Sequence, residues 1–150
     1  MFKDGCAGSL LVKVSIPVEK GTLMNVALWA LAGLLAAGFL ASGLNKLLRP
    51  KEELAGAGME FVEDFGDSTV KGIGALEILG ATGLVLPALL GVGGRVMVPL
   101  ASSCLTVLML GAVLTHARRR EPQGIVVAGV LLVLTALLAS GRWGFAPLGT

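Results

Sequence analysis

A chain of 150 residues with 55% hydrophobic residues, 22 glycines and only 15% charged residues is too apolar for an ordinary soluble domain, in which about a quarter of residues are charged. A net charge of +2 leaves no electrostatic footprint for nucleic acid, and the length allows four membrane spans with compact loops but no separate soluble domain. Two cysteines, Cys6 and Cys104, without a CxxC, argue against dithiol redox chemistry of the thioredoxin kind.

Residues Met1 to Leu23 scatter Lys3, Lys13 and Lys20 through a short apolar patch that Pro17 would break as a helix. They lack the uninterrupted apolar core and small-residue cleavage site of a signal peptide. Met24 stands directly before the first strongly apolar run, so residues 1–23 read as an N-terminal extension, either absent from the native protein or without fixed structure. The membrane domain is then expected over residues 24–145.

Asn25 to Leu48 is the first predicted span, with Trp29 as an interfacial anchor near its start. Gly33, Ala37 and Ala41 recur four apart and predict a face on which another helix approaches closely. The span ends in Asn45 and Lys46, followed by Arg49 and Pro50; Lys46 is read either as snorkelling to the interface or as a buried partner. Lys51 to Val70 is the longest connection and holds six acids among Leu54, Phe61, Val62 and Phe65. That spacing suits a short amphipathic helix at the interface, with the acids on a solvated face. Asp67 or Ser68 is expected to cap the next helix.

Gly72 to Leu90 is the second span, 19 residues or about 28 Å of helix against a hydrocarbon core of roughly 30 Å. Its one ionisable group is Glu77. An acid at the centre of a spanning helix costs about 2.5–3.5 kcal/mol, so Glu77 needs a partner. Gly74, Gly80 and Ala81 clear the helix face around it and predict that it points into the bundle. Gly91, Gly93 and Gly94 form a turn carrying Arg95.

Val96 to Thr115 is the third span. Ser102, Ser103 and Thr106 are read as interhelical hydrogen-bonding groups and Cys104 as a packing residue. His116, the chain's only histidine, ends it, followed by Arg118, Arg119 and Arg120. The fourth span, Ile125 to Gly141, is nearly featureless and is read as a packing helix, closed by Arg142, Trp143 and Phe145.

The resulting fold class is all-α, an integral membrane four-helix bundle. Four spans put both termini on one side of the membrane and the first and third connections on the other. Most basic residues lie in or beside those two connections, which the positive-inside rule places in the cytoplasm. In that topology Lys46, Glu77 and His116 come from three helices to one membrane level, with Asn45 available to bridge. A lysine and a glutamate at that depth neutralise each other's cost. The cluster then either locks the helices in register, relays protons, or forms the polar end of a site for a quinone or another small amphipathic molecule. One histidine and no thiolate pair are insufficient for a metal centre or a bis-histidine haem.

The stretches LASGLNKLLRP, VKGIGALEILGATGLVLPALL and THARRREP resemble the corresponding segments of the DoxX-like family of small four-helix membrane proteins. That resemblance implies a lipid-embedded bundle and an association with membrane redox chemistry, as an accessory or anchoring subunit. It supplies no catalytic residues, so whether the protein is an enzyme stays open. The residues show no cofactor; a quinone, a redox partner protein and a homo-oligomer are compatible with them. The alternative is a non-catalytic scaffold, or a small-molecule or proton transporter using Asn45, Lys46, Glu77 and His116.

Overall fold

The computed structural model describes residues 20–145, and these are helical with short connections. Four long helices, α1 (Lys20–Leu48), α3 (Asp67–Leu89), α4 (Gly94–Arg119) and α5 (Pro122–Ser140), are each long and apolar enough to cross a membrane. Between α1 and α3 lie a short helix α2 (Lys51–Gly56) and a 3-10 turn (Glu60–Asp64). A π-helical turn (Gly141–Phe145) follows α5. The expectation that residues 1–23 stand apart lies mostly outside the described residues; Lys20, Gly21, Thr22 and Leu23 belong to α1.

Glycine contacts decide which helices are neighbours. A Cβ on Gly43 of α1 would stand 2.6 Å from the Gly74 carbonyl of α3, and one on Gly74 would stand 2.9 Å from the Gly43 carbonyl, so these backbones touch where side chains are missing. Gly80 of α3 gives way in the same manner to Leu105 of α4. The order of packing is α1 on α3, α3 on α4 and α4 on α5. α1 and α5 meet sparsely, and the closure between them comes from the end of the chain, through Leu28 against Gly141 and Asn25 with Arg142. The core at this end and mid-bundle is Ala32, Leu35, Phe39, Ala81, Leu84, Leu105, Met109 and Leu138.

The packing face of α1 differs from the expected one. Gly33, Ala37 and Ala41 are exposed, and the buried stripe is Ala32, Leu35, Phe39, Gly43 and Lys46. Leu35 and Phe39 fill the interface between the small residues Ala32 and Gly43, and the expected small-residue repeat falls on the outer surface. Cys104 is likewise exposed on the outside of α4 rather than packed. The hydroxyls of Ser102, Ser103 and Thr106 bond carbonyls of their own helix, Pro99 and Ser102, instead of bridging helices, although Ser103 also accepts a bond from Trp143.

The first connection is not one amphipathic helix lying flat. α2 and the 3-10 turn fold onto each other and onto the start of α3, burying Leu54, Val62 and Val70 as a second small core. Lys51 donates to the Phe65 carbonyl and pins the segment's end. Neither Asp67 nor Ser68 caps α3: the N-cap position is Gly66, without a side-chain bond, and Asp67 instead pairs with Lys71 one turn on. The second connection turns through Gly91 and Gly93, both at positive φ.

Candidate functional site

Ser42 and Lys46 are one helical turn apart on α1, and Glu77 faces them from α3 where the Gly43 and Gly74 backbones allow close approach. The Lys46 ammonium donates to both Glu77 carboxylate oxygens at 2.8 Å and to the Ser42 hydroxyl at 2.6 Å, which uses its three donors. The side chains are 6% and 4% exposed, so the pair is inside the bundle and Lys46 does not snorkel to its surface. Asn45, expected to bridge, takes no part in these bonds; Ser42 fills that role because residue i−4 lies over the same face as Lys46.

The pair lines a cavity of about 660 Å³ within one half of the bundle. Its walls are Gly38 and Phe39 of α1, Ile73 of α3, Leu108, Ala112 and Thr115 of α4, and Val127, Ala128 and Leu131 of α5. Gly38 and Gly111 border it, and a Cβ on either would meet nothing within 4 Å. The cavity is thus mostly apolar along its length and polar at one end, where Ser42, Lys46, Glu77 and His116 converge with Thr115 and Gln123 beside the histidine. α5, expected to serve only for packing, supplies one wall and makes room for the histidine: a Cβ at Gly124 would fall 2.2 Å from His116 Nδ1.

His116 Nδ1 lies 2.6 Å from a carboxylate oxygen of Glu121. A carboxylate partner assigns the proton to Nδ1 and leaves Nε2 as the second functional nitrogen of the ring. Phe61 meets the imidazole edge-on, with ring centroids 5.3 Å apart, and its ring centroid is 6.0 Å from Lys46 Nζ. Arg119 bonds the other Glu121 oxygen and reaches Asp64 at 2.6 Å and Glu63 at 3.6 Å, tying the first connection to the third. Hydrogen bonds from Arg119 and then His116 hold the Glu121 carboxyl below its ordinary value, so it is ionised at neutral pH. Among the described residues no three His, Cys, Asp or Glu side chains gather to hold a metal ion.

Residues 16–138 match the DoxX-like family. The chain belongs to that family. No curated protein and no solved structure matches it. In this DoxX-like chain Lys46, Glu77 and His116 line one cavity, and Asn45 is not part of its lining. Sequence reasoning missed Ser42, Phe61, Arg119 and Glu121. The signals were local for two of them: Ser42 precedes Lys46 by one turn, and Glu121 follows His116 by five residues across a helix end. It also missed that Arg142 is buried, donating to Asn25 at 2.6 Å and stacked 4.8 Å from the Trp29 ring, at the bundle end where α1 meets the turn after α5.

Proposed function

We propose that this DoxX-like membrane protein binds a small amphipathic molecule of the quinone kind in its intramembrane cavity, as an accessory to membrane redox chemistry. The observation that carries this is the cavity itself: its volume lies within the roughly 300–1,000 Å³ of small-molecule sites, its walls are apolar, and its polar groups are confined to one end. Ser42 accepts from Lys46 and keeps its own hydroxyl hydrogen for a carbonyl-type acceptor. His116 Nε2 offers a second polar contact, and the Lys46 and Glu77 pair supplies opposite charges without net charge. A neutral head with hydrogen-bond acceptors suits such an end better than an ion, which would have to be desolvated against a pair already neutralised.

The orientation we propose places the Lys46, Glu77 and His116 end toward the cytoplasm, with Arg49, Lys51, Lys71 and Arg118 to Arg120 around it and Arg95 and Arg142 at the other end. Mass spectrometry of organic molecules and proteins extracted with the detergent-purified protein tests the function directly. A bound quinone, lost in Lys46→Met, is the expected result. Protein that carries only bulk phospholipid, and shows no saturable binding of a short-chain quinone, overturns it. The competing reading, a structural lock, draws on the fully bonded ammonium and is separated from ligand binding by the double-mutant cycle in the Discussion.

A further inference from the structure

The cavity is covered on the side of the connections. Met59, Phe61 and Phe65 form its roof, Phe61 rests on the His116 ring, and Arg119 fastens the roof's Asp64 and Glu63 to Glu121. The roof has its own buried support in Leu54, Val62 and Val70. A solute arriving from water would have to part Arg119 from two carboxylates of the roof, Glu63 and Asp64, and lift two phenyl rings.

The flank between α1 and α5 is built differently. These helices meet sparsely, and the contacts that close the flank, Leu28 with Gly141 and Asn25 with Arg142 of the turn after α5, lie at the far end. On the cavity half, Gly38 of α1 presents no side chain, and a Cβ there would touch nothing within 4 Å. Val127 of α5 lines the cavity and is still 61% exposed, so the cavity reaches the outer surface beside it. One turn along α1 from Gly38, Leu34 is 69% exposed, which continues an apolar path out of the site. In a helix long enough to cross a membrane, that surface faces hydrocarbon.

We propose that the ligand enters and leaves sideways, from the bilayer through the gap between α1 and α5, and that it belongs to the class of lipid-soluble molecules with a flexible hydrocarbon tail. The head occupies the Ser42, Lys46 and His116 end, and the tail lies in the gap past Gly38 and Val127. This deepens the cavity reading above and rests on it; what it adds is the route and the tail. A tail removes the need to open the roof. It also replaces lipid chains in the gap at little cost, since both surroundings are apolar.

The test uses the full chain in phosphatidylcholine and phosphatidylglycerol vesicles with two probes, a quinone bearing a decyl tail with a terminal diazirine and the same quinone without the tail. Photolysis is expected to place the label on peptides containing Leu34 or Gly38 and Val127, and the tail-less probe is expected to bind at least tenfold more weakly. Val127→Trp should slow binding of the tailed probe at least tenfold, whereas Val133→Trp, also exposed on α5, should leave the rate unchanged. The photolabel is read on wild-type protein, so a variant that misfolds does not remove the test. Label on Met59 to Phe65 or on the outer faces of α3 and α4, or equal affinity for both probes, overturns the lateral route while leaving the site. Absence of saturable binding of either probe to wild-type protein removes the site and the route together.

Discussion

Lys46 and Glu77, 31 positions apart in the chain, meet through both carboxylate oxygens at 2.8 Å in a bundle where each side chain is almost fully buried. Neither charge has a low-energy alternative once the helices are packed, because the backbones of Gly43 and Gly74 hold α1 and α3 in contact beside them.

The pair should behave as one unit. Glu77→Gln or Lys46→Met alone leaves an uncompensated buried charge and should cost about 3–5 kcal/mol. Changing both removes the two charges together and should recover most of that loss. Thermal unfolding in detergent across the cycle measures the coupling. Losses that add to within a few tenths of a kcal/mol would mean independent residues. If the double variant regains stability but no longer binds a quinone, the pair serves the ligand as well as the fold.

Two kinds of glycine should separate cleanly. Gly43→Ala and Gly74→Ala press a methyl group against backbone of the facing helix and should destabilise by about 1–3 kcal/mol. Gly33→Ala enters open space in mid-helix, where alanine is favoured over glycine by up to about 1 kcal/mol, and should be neutral or stabilising. The same detergent melts report both, and a loss at Gly33 as large as that at Gly43 would point to an additional partner on that face.

The junction of Arg119, Glu121 and His116 should respond to acid. The folded Glu121 carboxyl titrates below its unfolded value, so its contribution is fully present above the ordinary glutamate range and is lost as pH falls through the lower folded value. Glu121 is partly exposed, so the amount is small. Stability measured from pH 7 downward should show an acid limb that flattens in Glu121→Gln. An identical limb in wild type and variant would assign it to other carboxyls.

Orientation can be read by labelling. In a background lacking Cys6 and Cys104, Arg118→Cys and Arg95→Cys place exposed thiols at opposite ends of α4. A membrane-impermeant maleimide applied to intact cells should label position 95 and spare position 118. The opposite pattern reverses the proposed topology.

Span number, helical class and the demand that Glu77 find a partner were legible in the linear sequence because each depends on local quantities: apolar length, turn residues and the cost of a charge in hydrocarbon. Family membership was legible in the stretches around Lys46, Glu77 and His116. Helix faces were not. Gly33, Ala37 and Ala41 form a small-residue repeat as good as any, yet they lie outside, because the choice of face depends on complementary bulk from another helix, and Ala32, Leu35 and Phe39 met it. Ser42 displaced Asn45 for a similar reason: adjacency in sequence points two side chains about 100° apart, whereas one turn of helix brings them together. The cavity belongs to tertiary structure alone. It exists because α1 and α5 stand apart while α1 on α3 and α4 on α5 pack closely, and because Arg119 holds a distant loop over the connection end of the cavity. Those pairings set the space between the first and last spans, far apart in the chain, and no periodicity within a single helix records such a separation.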